Sequence, residues 1–157
     1  MRAFVQRLID WLLRAEIIDG AGATDTYLKR WWLLALPGKR RVYLHRFTGS
    51  DWARDLHDHP KAFWSIGLRG GYVEETPRRA PDDRPLWLLP LRRRRWVAPW
   101  IRRFPATHIH RLRVNRSRPT WTIVITGSEE REWGFWTARR RWVHWREYVS
   151  LNGGTAA

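Results

Sequence analysis

Two short phrases, His57-Asp58-His59 and His108-Ile109-His110, constrain this chain more than any other feature. In an extended strand the side chains at i and i+2 point to the same face. Each phrase therefore aims two imidazoles at one place if it lies in a strand. The second phrase sits within a clear alternation. His108, His110, Leu112 and Val114 share one face, and Ile109, Arg111 and Arg113 take the other. Histidines in phase with apolar residues point inward. The expectation is a small β architecture with imidazoles gathered inside it.

The rest of the chain agrees with that expectation. Arg41–Phe47, Ala62–Leu68, Tyr72–Thr76, Leu86–Leu91, Trp96–Phe104, Thr120–Thr126, Glu132–Thr137 and Trp142–Val149 all read as strands, rich in β-branched and aromatic residues. Turn signals separate them. Pro37-Gly38 is one, Gly70-Gly71 reads as a hairpin turn, and Arg92-Arg93-Arg94-Arg95 reads as a solvated turn or face, with a phosphate-binding patch as its alternative. Residues 26–36 are strand or short helix, and periodicity does not decide between them. Residues 1 to about 18 read as a helix, since Phe4, Val5, Leu8, Trp11 and Leu12 recur at three- and four-residue steps, with Gly20 and Gly22 closing it. The chain is expected to be one all-β domain over residues 1–157: a β-barrel or jelly roll over 40–150, the N-terminal helix over 1–20, and a frayed tail at 151–157.

Composition narrows the chemistry. There is no cysteine, so a metal must be held by histidine, carboxylate or backbone oxygen. No stretch approaches the roughly 18 uninterrupted apolar residues of a membrane helix, and Asp10, Arg14 and Glu16 break any secretory pattern. These points lead to the expectation of a cytoplasmic protein without a membrane partner. The formal charge of +15 comes from basic residues of which only Lys29, Lys39 and Lys61 are lysine. It implies non-specific, salt-sensitive nucleic-acid binding, or else a bias toward arginine and tryptophan codons. Arg46 and Arg111 are candidate anion-binding residues. Strand edges and many tryptophans make a homodimer a further expectation.

On these residues the chain resembles the cupin superfamily. The first cupin motif, Gly-x5-His-x-His-x(3 or 4)-Glu-x6-Gly, finds its His-x-His in His57-Asp58-His59 and its closing glycine at Gly70 or Gly71. Its glutamate falls on Phe63 or Trp64, and its opening glycine on Asp51. The second motif, Gly-x5-Pro-x-Gly-x2-His-x3-Asn, is matched by Pro105-Ala106-Thr107-His108-Ile109-His110, with threonine in the glycine place and His110 as the metal-binding histidine. Its asparagine falls on Val114, and Asn115 is one residue late. The phrases Tyr43-Leu44-His45-Arg46-Phe47, Gly70-Gly71-Tyr72 and Glu132-Trp133-Gly134-Phe135 are similar to small cupin-like proteins of phages and bacteria with unassigned function. The resemblance covers roughly residues 40 to 136. It implies a cupin-type β-barrel, that is, a double-stranded β-helix.

The residues imply a site of their own accord. Neutral imidazoles are good ligands for iron, manganese, nickel or zinc. His57, His59 and His110 form the expected metal set, with His108 and His45 as further ligand candidates. Asp55, in phase with His57, is a candidate outer acceptor. Glu74 or Glu75 is the carboxylate that the next strand offers. Asp58, on the opposite face from its neighbours, is expected in a local turn or surface hydrogen bond, and His144 is expected to be structural. The functional expectation is a metal-dependent small-molecule enzyme of dioxygenase or isomerase type, with a histidine-only site. The alternatives are a non-catalytic module for a sugar, nucleotide or other anionic ligand, and a basic nucleic-acid-associated phage protein.

Overall fold

The computed structural model describes Leu8, Trp11 and residues 14–19, 26–50, 55–78, 90–137 and 142–151. Twelve strands and one short helix are described: β1 (Glu16–Asp19), β2 (Thr26–Leu36), β3 (Arg40–Phe47), β4 (Leu56–His57), β5 (Phe63–Arg69), β6 (Gly71–Pro77), β7 (Leu91–Val97), β8 (Trp100–Phe104), β9 (Arg111–Val114), β10 (Thr120–Thr126), β11 (Gly134–Trp136), β12 (Val143–His144) and α1 (Trp145–Leu151).

One wall of the barrel is a six-stranded antiparallel sheet in the order β1-β2-β3-β10-β5-β8. The other is built from two three-stranded sheets, β12-β11-β4 and β7-β6-β9. These two meet at a seam. His57 N–H donates to His110 O at 2.9 Å, and His110 N–H donates to His57 O at 3.0 Å. A third bond crosses nearby, from His59 N–H to Ala106 O at 3.0 Å.

Side-chain alternation decides what faces inward. On β10, Thr120, Thr122 and Val124 are buried, and on β8, Trp100 and Phe104 are buried. Tyr72, Trp100, Leu112 and Val114, packed with Phe47, Trp96 and Ala98, form an apolar core cluster. A smaller cluster of Phe135, Val143 and Tyr148 holds α1 against β11 and β12.

Several expectations are corrected here. Most of the N-terminal helix lies outside the described residues, and no N-terminal helix is among the described elements. Its expected end is instead strand β1, which pairs Glu16 with Arg30 and Ile17 with Lys29. Residues 26–36 resolve as strand β2, in a hairpin with β3 across Pro37-Gly38. Of the two readings of the four-arginine run, the solvated face holds and the turn does not: the four residues are the exposed middle of β7. Arg93 and Arg94 lie opposite Glu75 and Glu74, so cross-strand carboxylates offset the like charges. Gly70-Gly71 is a corner and not a hairpin, because β5 and β6 belong to different sheets. Gly70 turns that corner at a φ of +81°, close under Pro119 O and Thr120, where a side chain does not fit. Trp142–Val149 is a two-residue strand followed by α1. There Tyr148 stacks on Phe135 at 3.9 Å, and packing overrides an alternating aromatic pattern. Most of Leu86–Leu91, and the tail from residue 152, lie outside the described residues.

Candidate metal centre

The site is built on the seam. His57 and His110 are directly opposite in an antiparallel pair, and such residues project to the same side. His59 follows two residues after His57 and is tied to Ala106. The three imidazoles meet with ring centres 4.9–5.1 Å apart. His59 Nε2 lies 3.1 Å from His110 Nε2. One ligand nitrogen from each of the three lies within 4.8 Å of the others. Metal–imidazole bonds of about 2.0–2.1 Å require spacings of this order.

Asp58 fixes the first pair from behind. It is not a surface residue: its relative exposure is 1%. Its carboxylate accepts hydrogen bonds from Gly134 N–H (2.8 Å), Arg131 Nη1 (2.8 Å) and Trp142 Nε1 (3.1 Å). Its own N–H donates to Gly134 O at 3.1 Å. With Asp58 pinned toward β11, its two neighbours are turned the other way, into the barrel.

Between the two candidate carboxylates, β6 alternation selects Glu74. It faces inward beside Tyr72, and its relative exposure is 3%. Oε1 accepts from His110 Nδ1 and from His108 Nε2, each at 2.9 Å. Oε2 accepts from Trp96 Nε1 at 3.0 Å and pairs with Arg102 Nη1 at 2.8 Å. Burial alone would raise the Glu74 carboxyl. The bonds from His108, His110 and Arg102 outweigh it and hold the group well below the usual carboxylate range. An ionised carboxylate only accepts hydrogen bonds. His110 therefore carries its proton on Nδ1, and its Nε2 lone pair faces His59. Burial, followed by the neighbouring imidazoles, pushes His57 and His59 well below the ordinary histidine value. Burial also lowers His110, against the pull of Glu74. All three are neutral near neutral pH, as ligands must be.

Glu74, His108 and His110 form a second group of adequate spacing. In it Glu74 already accepts hydrogen bonds from both histidines and is paired with the Arg102 guanidinium. A cation is disfavoured there. The first group fits a metal ion better, with Glu74 as the outer partner that sets the tautomer of His110.

The other expected site residues are distributed as follows. His45 stands on β3 between Tyr43 and Phe47 and belongs to neither group. Asp55 accepts from Tyr148 Oη at 3.0 Å and ties α1 to β4. Arg46 lies over the Trp121 ring, while Arg111 pairs with Glu75 on another sheet, so the two do not meet. His144 bonds Glu132 at 2.7 Å. Phe63 takes the place of the motif's glutamate and packs edge-on to His59 at 4.9 Å. Sequence reasoning missed Arg102, Trp96 and the burial of Asp58. Arg102 carried a signal, since it is in phase with Trp100 and Phe104 on β8.

No family model matches the chain. No curated protein matches it in sequence. Solved structures do match in fold. One is a protein of Ralstonia eutropha provisionally assigned as a mannose-6-phosphate isomerase: 18% identical, TM-score 0.50, covering 74% of this chain and 94% of that one. Another is the polyketide cyclase RemF of Streptomyces resistomycificus: 14% identical, TM-score 0.51, covering 72% of each chain. A third is a cupin-2 domain protein of Rhodospirillum rubrum: 14% identical, TM-score 0.50, covering 74% and 71%. With its double-walled β-barrel and the strand order described above, this chain has the fold of the cupin superfamily.

Proposed function

We propose that this chain is a metal-dependent small-molecule enzyme of the dioxygenase or isomerase type, with its ion held by His57, His59 and His110. One observation carries the reading. His110 meets His59 with one ring nitrogen, at 3.1 Å, and the ionised Glu74 with the other, at 2.9 Å. That is how a carboxylate prepares an imidazole for a metal. A bound iron, manganese, nickel or zinc ion supplies Lewis-acid or redox chemistry according to its identity. The chain's own part is to hold neutral imidazoles, to keep Glu74 ionised through Arg102 and Trp96, and to wall the site with Phe63 and Phe104, stacked at 4.7 Å. Three protein ligands leave coordination positions for a small molecule. The test is metal analysis of purified protein after loading with each ion, beside His57→Ala and His110→Ala. About one ion per chain in the wild type and a loss in both variants is expected. A wild type that stays metal-free sinks the reading.

A non-catalytic module for an anionic ligand is the second reading. Arg94 and Arg102 flank Trp96, 4.1 and 3.7 Å from its ring centre, and this favours it. It requires ligand binding that survives removal of the histidines.

A further inference from the structure

The six-stranded wall carries a row of inward residues that the metal centre does not use. Arg30 lies opposite His45, His45 opposite Thr122, Thr122 opposite Gly67, and Gly67 opposite Trp100. Side chains of directly opposite residues are neighbours, with Cβ atoms about 4.5–5.5 Å apart. The missing side chain at Gly67 lets the Trp100 ring lie across the row, since a Cβ there would stand 2.3 Å from that ring.

Three polar atoms of this row, His45 Nε2, Thr122 Oγ1 and Trp100 Nε1, are buried without a hydrogen-bond partner among the described residues. Buried polar groups are almost always paired, so three exceptions in one row mark a place for a hydrogen-bonding molecule. Neighbouring threonines on the same strand show the contrast. Thr120 Oγ1 donates to Gly71 O at 2.7 Å and accepts from Gly71 N–H at 3.0 Å. Thr126 Oγ1 accepts from Arg41 N–H at 3.0 Å.

The row offers hydrogen bonds but no free charge. Arg30 is held by Glu16 through two contacts of 2.7 Å, and Arg102 by Glu74. Burial, with the Arg30 charge behind it, keeps the His45 imidazole neutral. The indole N–H only donates, the threonine hydroxyl donates and accepts, and a neutral imidazole nitrogen does one or the other. Tyr43 and Phe47 flank His45, and Tyr72 stands edge-on to Trp100 at 5.1 Å. Aromatic faces with a few placed polar atoms suit a hydroxylated carbon skeleton.

We propose that His45, Thr122 and Trp100 form a subsite for a neutral polyhydroxylated molecule, a polyol or sugar-like ring, inside the barrel. The assignment deepens the small-molecule reading above and rests on that reading, but not on its metal.

The test titrates the full chain with glycerol, myo-inositol and glucose, and separately with acetate and inorganic phosphate, following the tryptophan indole N–H signals by NMR. At least one neutral polyol should shift the Trp100 signal, and the two anions should not. Thr122→Val and His45→Phe should weaken that binding at least tenfold. Both should keep the wild-type metal content and melt no lower than the wild type, because each removes an unpaired buried polar atom. His110→Ala should lose metal yet keep the polyol. The proposal is overturned if no polyol binds the wild type, if Thr122→Val binds equally well, or if Thr122→Val melts lower. A metal-free wild type that still binds the polyol through these residues removes the metal reading alone.

Discussion

His57 and His110 exchange both of their backbone hydrogen bonds, at 2.9 and 3.0 Å. This pairing sets two metal-ligand candidates side by side through the main chain, before any side-chain rotamer is chosen. It also separates the histidines that belong to the site from those that do not. His57→Ala, His59→Ala and His110→Ala should each lower metal affinity severely. His45→Ala and His144→Ala should leave it within about twofold, because His45 stands in the opposite wall and His144 bonds Glu132. Isothermal titration with zinc distinguishes the two sets. Equal losses across all five remove the assignment.

Glu74→Gln keeps the shape and removes the charge. The outer partner of a ligating imidazole typically contributes about 10- to 100-fold in metal affinity. The same change leaves Arg102 without its carboxylate inside the barrel, and breaking a buried pair costs on the order of 3 kcal/mol. Metal titration and urea unfolding should therefore both register the variant. Unchanged affinity would show that Glu74 does not prepare His110.

Asp58→Ala strips three donors of their acceptor. The bond from the Gly134 amide is buried, and the bond from the Trp142 indole is half-buried. The expected loss of stability is about 3 kcal/mol, with a fall in metal affinity, because His57 and His59 lose their anchor. Arg131→Ala removes only the more exposed donor and should cost about 1 kcal/mol or less. Denaturant melts of the two variants test this ordering.

His45 makes stability depend on pH. Burial, together with Arg30, lowers its pKa from 6.5 to about 3 in the folded chain. Between these values the unfolded chain binds the proton and the folded chain does not. Stability is therefore lost as pH falls through that window, at up to about 1.4 kcal/mol per pH unit for this one group. His57 and His59 add losses of the same sign. Comparing His45→Phe with the wild type isolates the contribution of His45. The variant should show the shallower acid slope, and parallel slopes would contradict the burial of a neutral imidazole.

Much of the site was legible in the sequence because a strand's period of two is local. His57 with His59, and His110 with Leu112 and Val114, announce their shared faces in a few residues. The same alternation could not tell Glu74 from Glu75. Both are buried, but Glu75, at 0% exposure, is covered on the outer face by Arg93, Arg111 and Arg113, and only the three-dimensional arrangement shows this. Position 45 shows another limit. His45 is inward in phase, as expected, but it lies on a different wall, and phase carries no information about which wall a strand joins. The four-arginine run was legible as a solvated face but not as the middle of a strand, for a related reason. Clustered like charges suggest a turn, unless the partner strand supplies carboxylates, and that partner is about twenty residues away in sequence. α1 was missed because Tyr148 is held by Phe135 and Asp55, contacts that no local pattern encodes.

The seam between the two smaller sheets has a mechanical consequence. Of the backbone hydrogen bonds described across it, each begins or ends on His57, His59 or His110. The ladders of β10 with β3 and of β6 with β7 run six and seven residue pairs, and even β11 with β4 has two, while the line of the seam has the single pair His57 and His110 among the described residues. An ion gripped by all three imidazoles would be a rivet through that line, joining two plates that otherwise touch along one short edge. Anything that parts the plates scatters the donors, and anything that gathers the donors draws the barrel shut.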